Sequence, residues 1–401
     1  MPVTNAVVTG AVVIGPVMIG PVIIGPVIIG PVIIGGGPAG TAAAITLARA
    51  GHRPVLIERA TEPTDKVCGD FLSADTIQRV RALGVDPLAL GAVPIRHVRL
   101  IHGERTAETA LPFPALSLSR RVFDAALLRQ AERAGTILKL GQTVRRLTRN
   151  DLHWTIGFGD QTEIMARTVF QATGKHDLRD LPRPHTDRDA VGMKMYFDLS
   201  PESSKRLDGA VELTLFPGGY AGMQHVEHGR GVLCIAVRRS TFQALGGGWA
   251  GLIAAIECGS RRFAAMMAGA IALLPRPLAV AGIPYGFRAG SVPPDGLFRL
   301  GDQAAVIPSL TGDGMAIALH SGTTAAGAWL AGGDTEADQG AVAYQRALGR
   351  TLAPRMRLAG VLHRAGMIGP MQSAAVRAAA LFPALLRQAA SRTRLPFDAQ
   401  A

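Results

Sequence analysis

The chain has 401 residues, 48% of them hydrophobic, and a formal net charge of +12. That length accommodates two domains with a substantial core, and the charge points to acidic surfaces as partners. Three cysteines with no C-x-x-C spacing exclude a disulfide framework and a dithiol redox pair, which suits a reducing, cytoplasmic setting. No nucleic-acid-binding motif is present, so a membrane surface is the better match for the charge.

Residues 6–35 repeat a pentad: AVVTG, AVVIG, PVMIG, then PVIIG three times. No charged residue precedes Arg49. Hydropathy alone suggests a membrane span, but Gly closes every copy and Pro opens the last four, and inside a helix Pro and Gly cost about 3 and about 1 kcal/mol. Residues 1–30 are therefore expected to be a low-complexity tail, dispensable for cofactor binding. An interfacial anchor or a self-associating β-prone tail stays open. The last pentad runs into Val32–Ile34, an apolar run that reads as a buried parallel strand. Gly35, Gly37 and Gly40 then spell G-x-G-x-x-G. A small-residue helix follows from about Thr41 to Ala50, and a second apolar strand, Val55–Ile57, ends on Glu58 and Arg59. This is the strand–turn–helix–strand context that the dinucleotide fingerprint requires. Gly35 permits the tight turn. Gly37 lets the backbone approach a pyrophosphate, and Gly40 lets the helix pack close to the strand. Past Pro38 and Ala39, the helix N-terminus offers N–H groups and partial positive charge to phosphates. Glu58 is placed to accept hydrogen bonds from ribose hydroxyls.

Further along, Ser119 is placed to cap a helix that ends before Gly135, with Arg120 at its start. Gly159-Asp160 reads as a hairpin turn, and Val169–Gly174 as a buried strand ending in small residues. Residues 192–197, 211–216 and 231–237 read as antiparallel strands. Leu297–Leu300 reads as a strand ending on Gly301-Asp302, and Thr311-Gly312-Asp313-Gly314-Met315 precedes a helix. Residues 341–401 read as basic helices with nine arginines and one acid, Asp398. Pro354, Pro370 and Pro383 are expected to break them into pieces. Such a region either contacts an anionic membrane or caps the domains with its arginines in water.

The segments LSLSRRVFDAALLRQAERAG (116–135), VFQATG (169–174) and LFRLGDQAAVIPSLTGDGMAIALHSG (297–322) resemble a large flavoprotein superfamily. It holds aromatic-ring monooxygenases, geranylgeranyl reductases and flavin-dependent halogenases. KVCGDFLS (66–73) resembles a stretch of the reductases and of some monooxygenase relatives. The resemblance spans about residues 31–330 and implies an α/β fold. A Rossmann-like FAD-binding domain (31–185 and 281–340) would carry an inserted antiparallel β-sheet substrate domain (186–280) and a helical C-terminal region (341–401). It implies FAD held by the fingerprint residues Gly35, Gly37, Pro38, Ala39 and Gly40, by Glu58 and Arg59, and by Arg120, Val144, Thr173 and Gly174. Gly301, Asp302, Gly312, Gly314 and Met315 would complete the site. The helix after Gly314 would point its N-terminus at the flavin ring, where it favours an anion by about 0.3–1 kcal/mol. Cys68 would face the ring or the substrate, or be a plain buried thiol. Tyr220, Met223 and His225 are candidates for the substrate pocket, or for packing. No metal site is expected.

Two reactions follow from the resemblance, the first as the expected one and the second as its alternative. The first is monooxygenation of an aromatic or lipid-like small molecule through a flavin C4a-hydroperoxide, with NAD(P)H or another external donor supplying electrons. The second is reduction of isoprenoid double bonds. Against the first, Ala172-Thr173-Gly174 stands where monooxygenases carry an Asp-Gly pair tied to NAD(P)H contacts. Against the second, Gly222 stands where the reductases carry tryptophan. The halogenase W-x-W-x-I-P motif is missing.

Overall fold

The computed structural model describes residues 28–150, 153–183, 189–290 and 296–395. The expected tail lies outside these residues as far as position 27. Five short parallel strands form the central sheet, in the order Leu297–Arg299, Val169–Gln171, Val32–Ile34, Val55–Glu58, Ile137–Leu140. The apolar runs of the four strands from Leu297–Arg299 to Val55–Glu58 reflect burial on both faces, whereas the edge strand Ile137–Leu140 is largely exposed. On one face Ile33, Leu56, Phe170 and Phe298 pack against the helices Pro38–Arg49, Arg120–Arg133 and Gly314–Gly332. On the other, Val32, Ile34, Val55, Ile57, Val169 and Leu297 meet Leu147, Trp154 and Ile156 of a four-stranded sheet. Successive side chains along each strand thus serve opposite layers. The hairpin at Gly159-Asp160 belongs to that smaller sheet and joins Trp154–Phe158 to Glu163–Ala166.

A nine-stranded mixed sheet covers the carboxyl ends of the central strands. Ala190–Asp198, Ala210–Phe216, Gly219–His225 and Gly231–Arg238 form most of it, as the antiparallel pattern predicts. The sequence grouping of residues 31–185 needs correction here. Val93–His102 and Arg105–Ser117 belong to this sheet, because Ala210–Leu215 pairs in parallel with His97–His102. Leu278–Ile283 joins its other side by pairing with Ala190–Lys194, across the expected boundary at 280/281.

The C-terminal region is helical, with one difference from expectation. Ala337–Met367 is a single helix that runs through Pro354. Pro354 is exposed, so water can serve the carbonyl its ring leaves unpaired. Pro370 and Pro383 sit in the first turns of Gly369–Leu381 and Pro383–Arg392, where a missing N–H costs nothing. No helix of the described residues is long and apolar enough to cross a membrane.

Candidate functional site

Between the strand ends and the nine-stranded sheet lies a cavity of about 960 Å³. Open α/β sheets bind ligands at this end. Gly35, Gly37, Pro38, Ala39, Glu58, Arg59, Cys68, Arg120, Val144, Thr173, Gly174, Tyr220, Gly301, Asp302, Gly312, Gly314 and Met315 all line it. Three candidates do not. Gly40 is buried behind the turn, where a Cβ would stand 2.0 Å from the Gly35 carbonyl oxygen; it serves helix packing, as expected. Met223 and His225 are corrections. Along Gly219–His225 the cavity is lined by Tyr220, Gly222 and Gln224, so residues 221, 223 and 225 point the other way. Met223 packs in the core on the far face. His225 is buried, with its Nε2 3.0 Å from the Ser204 carbonyl oxygen.

The fingerprint turn fits a dinucleotide. Gly35 has φ +114, and a Cβ there would strike the Ala172 carbonyl oxygen at 2.3 Å. At Gly37, by contrast, a Cβ would meet only Arg120 Nη2 at 3.7 Å, so the backbone stands open to the cavity. Glu58 closes the turn by accepting from the Gly36 N–H at 2.6 Å and the Ala60 N–H at 3.1 Å. The helices Pro38–Arg49 and Gly314–Gly332 both start at the cavity, with no side-chain cap and no acid in the first turn. Two N-terminal partial positive charges therefore face one chamber.

Arg120 is nearly buried and forks onto Asp124, with Nε–Oδ1 and Nη2–Oδ2 both at 2.8 Å. Burial works against the Arg120 charge, but Asp124 more than offsets it and lifts the pKa further. Burial alone would raise Asp124; Arg120 and Lys66 bring it below the ordinary carboxylate value. Lys66, 2.9 Å from Asp124, opens the KVCGD segment. At its other end Asp70 adopts a left-handed conformation (φ 56) and pairs with Lys194 at 2.6 Å, both fully buried. Two ion-pair systems thus clamp the segment that presents Cys68 to the cavity.

Sequence reading missed Lys194, Ser309, Tyr285 and Arg394. Tyr220 Oη and Tyr285 Oη each lie 2.7 Å from Ser309 Oγ. Burial raises both phenol pKa values, so the hydroxyls stay protonated. Arg394 reaches back from the C-terminal segment to Asp313 at 2.7 Å, at the start of the Gly314 helix, with its guanidinium 4.7 Å over the Phe113 ring. Nothing in the local pattern around Arg394 or Tyr285 marks them; only the fold brings them here.

Burial raises Asp313 to about 7 despite Arg394. The folded state therefore takes up a proton that the unfolded state does not. Asp313's contribution to stability is present below pH 3.8 and is lost as pH rises toward about 7. Asp313→Asn should flatten that decline in a series of thermal melts. An unchanged slope would clear Asp313 of responsibility.

Residues 30–164 match the FAD binding domain family. A menaquinone reductase of Mycobacterium tuberculosis is 28% identical over 145 residues, covering 34% of this chain but only 36% of that protein. Digeranylgeranylglycerophospholipid reductase 1 of Methanothermobacter thermautotrophicus is 26% identical over 315 residues, covering 72% of this chain and 74% of that protein. Among solved structures, pqsL, a probable FAD-dependent monooxygenase from Pseudomonas aeruginosa, superposes with a TM-score of 0.70 at 17% identity, over 86% of this chain and 98% of that one. The myxobacterial chondrochloren halogenase CndH gives 0.72 at 18% identity, over 92% and 91%. With the fingerprint, the strand-end cavity and these matches in place, residues 30–164 match an FAD binding domain, and the chain shares the fold of flavin-dependent monooxygenases and halogenases and of a geranylgeranyl reductase-like protein.

Proposed function

We propose that this chain is an FAD-dependent oxidoreductase that reduces isoprenoid double bonds in an apolar, chain-like substrate. The division of the cavity carries this reading. Its strand-end half offers glycine backbone, helix N-termini and charged groups. Its far half is walled by Val98, Leu100, Leu111, Leu213, Leu215, Leu362 and Leu386. A hydrocarbon chain suits that wall, which offers few polar groups to hold anything else. The reductase-like KVCGD segment and the two prenyl-type relatives support the same choice.

In this reading Gly35, Gly37, Ala39 and Glu58 hold the adenosine diphosphate end of FAD. Arg120, Gly301 and Asp302 hold its middle, and the Gly312–Met315 turn meets the ring. Bound FAD supplies the two-electron chemistry, with electrons drawn from NAD(P)H or another external donor. The leucine wall excludes water. Saturating a double bond also needs a proton. Tyr220, linked through Ser309 to Tyr285, holds one at the cavity wall, and Cys68 is the other candidate on that wall.

The test is anaerobic incubation of the pre-reduced protein with a geranylgeranyl lipid, followed by mass spectrometry for added hydrogen. Tyr220→Phe should keep its flavin and lose turnover by roughly 10²–10⁴-fold, the range for a positioned acid. Full turnover in that variant would move the role to Cys68.

A second reading is hydroxylation of an aromatic molecule. The stack of Arg394 over Phe113, with Phe71 at 6.0 Å, favours it, because a guanidinium between rings suits an aromatic acid. Labelled oxygen appearing in the product would establish that reaction instead.

A further inference from the structure

The C-terminal helices face two ways. One side lines the cavity through Leu362, Ala375, Leu386 and Ala389. The other leaves a contiguous apolar run in water. Leu381 is 74% exposed and Phe382 62%, at the corner where Gly369–Leu381 ends and Pro383–Arg392 begins. Ala380, Pro383, Ala384 and Leu385 are exposed as well, so every residue from 380 to 385 is apolar and faces solvent. Such runs mark interaction sites rather than ordinary surface.

The surrounding charge decides the partner. Arg377 stands three residues before the run and Arg387 two residues after it, both exposed. Arg364 and Arg392 are exposed too, and no acid occurs between Asp338 and Asp398. A polyanion would use the arginines and leave the apolar corner in water. An apolar protein groove would use the corner and gain nothing from the arginines. Apolar acyl chains beneath anionic headgroups use both.

We infer that the 380–385 corner inserts into the headgroup layer of an anionic bilayer, with Arg377 and Arg387 on lipid phosphates. The chain then rests on the membrane by the helices whose opposite faces wall the cavity. This rests on exposed surface alone and stands whichever reaction the cavity performs.

Co-sedimentation of the full-length protein with vesicles tests it. The protein should pellet with phosphatidylcholine mixed with phosphatidylglycerol at low salt, and stay in solution with phosphatidylcholine alone. Leu381→Ser with Phe382→Ser should weaken binding about tenfold or more, since two large side chains no longer leave water. Arg377→Gln with Arg387→Gln should weaken it about thirtyfold. Both variants alter exposed positions, so melting temperature and flavin absorbance should not change. Phe382→Trp should show emission quenched by brominated lipid. Wild-type protein that stays in solution with anionic vesicles overturns the inference. So does binding untouched by the serine pair. A dimer that the serine pair splits assigns the corner to a second copy of the chain, and also overturns it.

Discussion

Replacing Gly37 by valine is expected to give a folded protein that purifies without yellow colour. The backbone at Gly37 is extended (φ −78, ψ −177), a conformation valine adopts readily. The new Cβ would touch only Arg120 Nη2, at 3.7 Å, so no core contact resists it. What it fills is the space where a pyrophosphate must approach the backbone. Charge-assisted hydrogen bonds are worth about 1.5–3 kcal/mol each, and losing two weakens FAD binding by roughly a hundred- to ten-thousandfold. Gly40→Ala is the control with the opposite outcome. Its Cβ would overlap the Gly35 carbonyl oxygen at 2.0 Å and crowd Ile33 at 3.1 Å, so the sheet and helix must part. That variant should be poorly soluble whether or not FAD is supplied. Absorbance at 450 nm against protein concentration, with a thermal melt, separates the two. A Gly37→Val protein with full flavin would place the pyrophosphate elsewhere.

Lys194→Met is expected to be the most damaging substitution outside the fingerprint. Lys194 Nζ is fully buried, 2.6 Å from Asp70 and 3.2 Å from the Lys66 carbonyl. Asp70 also accepts from Tyr196 Oη at 2.8 Å, yet its Oδ1 has no hydrogen-bond partner. Removing the lysine leaves a buried carboxylate without its cation, at a cost of about 3–5 kcal/mol. The melting temperature should fall by roughly 4–6 °C. The loss carries a pH signature. Burial raises the Asp70 pKa, and Lys194 is the main force pulling it back. Without Lys194 it rises further, so the folded variant binds a proton more readily than the unfolded chain. Its deficit should be small near the ordinary value of 3.8 and should grow toward neutral pH. Adding Asp70→Asn removes the stranded charge and should recover much of the stability. A deficit that is flat with pH and untouched by Asp70→Asn would mean that lost packing, not charge, is responsible.

What could be read from the sequence was whatever is encoded locally. The glycine spacing, the strand ending on Glu58 and the Ser119 cap each reside within a few residues, and each appears where expected. Alternation along Gly219–His225 is equally local. Tyr220 and Met223 are three apart and cannot share a face, so only one of them can meet the cavity. Pro354 lies on an exposed helix face, so the helix runs through it although proline usually breaks one. The rest was not local. That Val93–His102 pairs in parallel with Ala210–Phe216, or that Arg394 returns to Asp313, depends on contacts between distant segments. A buried lysine such as Lys194 looks like any other lysine until its partner, more than a hundred positions away, is known.

The order of the central sheet has a consequence for how the chain comes into being. Val169–Gln171 is flanked by Val32–Ile34, already made, and by Leu297–Arg299, which leaves the ribosome far later. Until then one side of that strand is a raw seam of unpaired amides bearing apolar side chains, a template for sticking to neighbouring nascent chains. Overproduction therefore meets its main hazard during translation. Slowing synthesis or supplying a holdase chaperone addresses that interval, whereas adding cofactor to finished material comes too late to help.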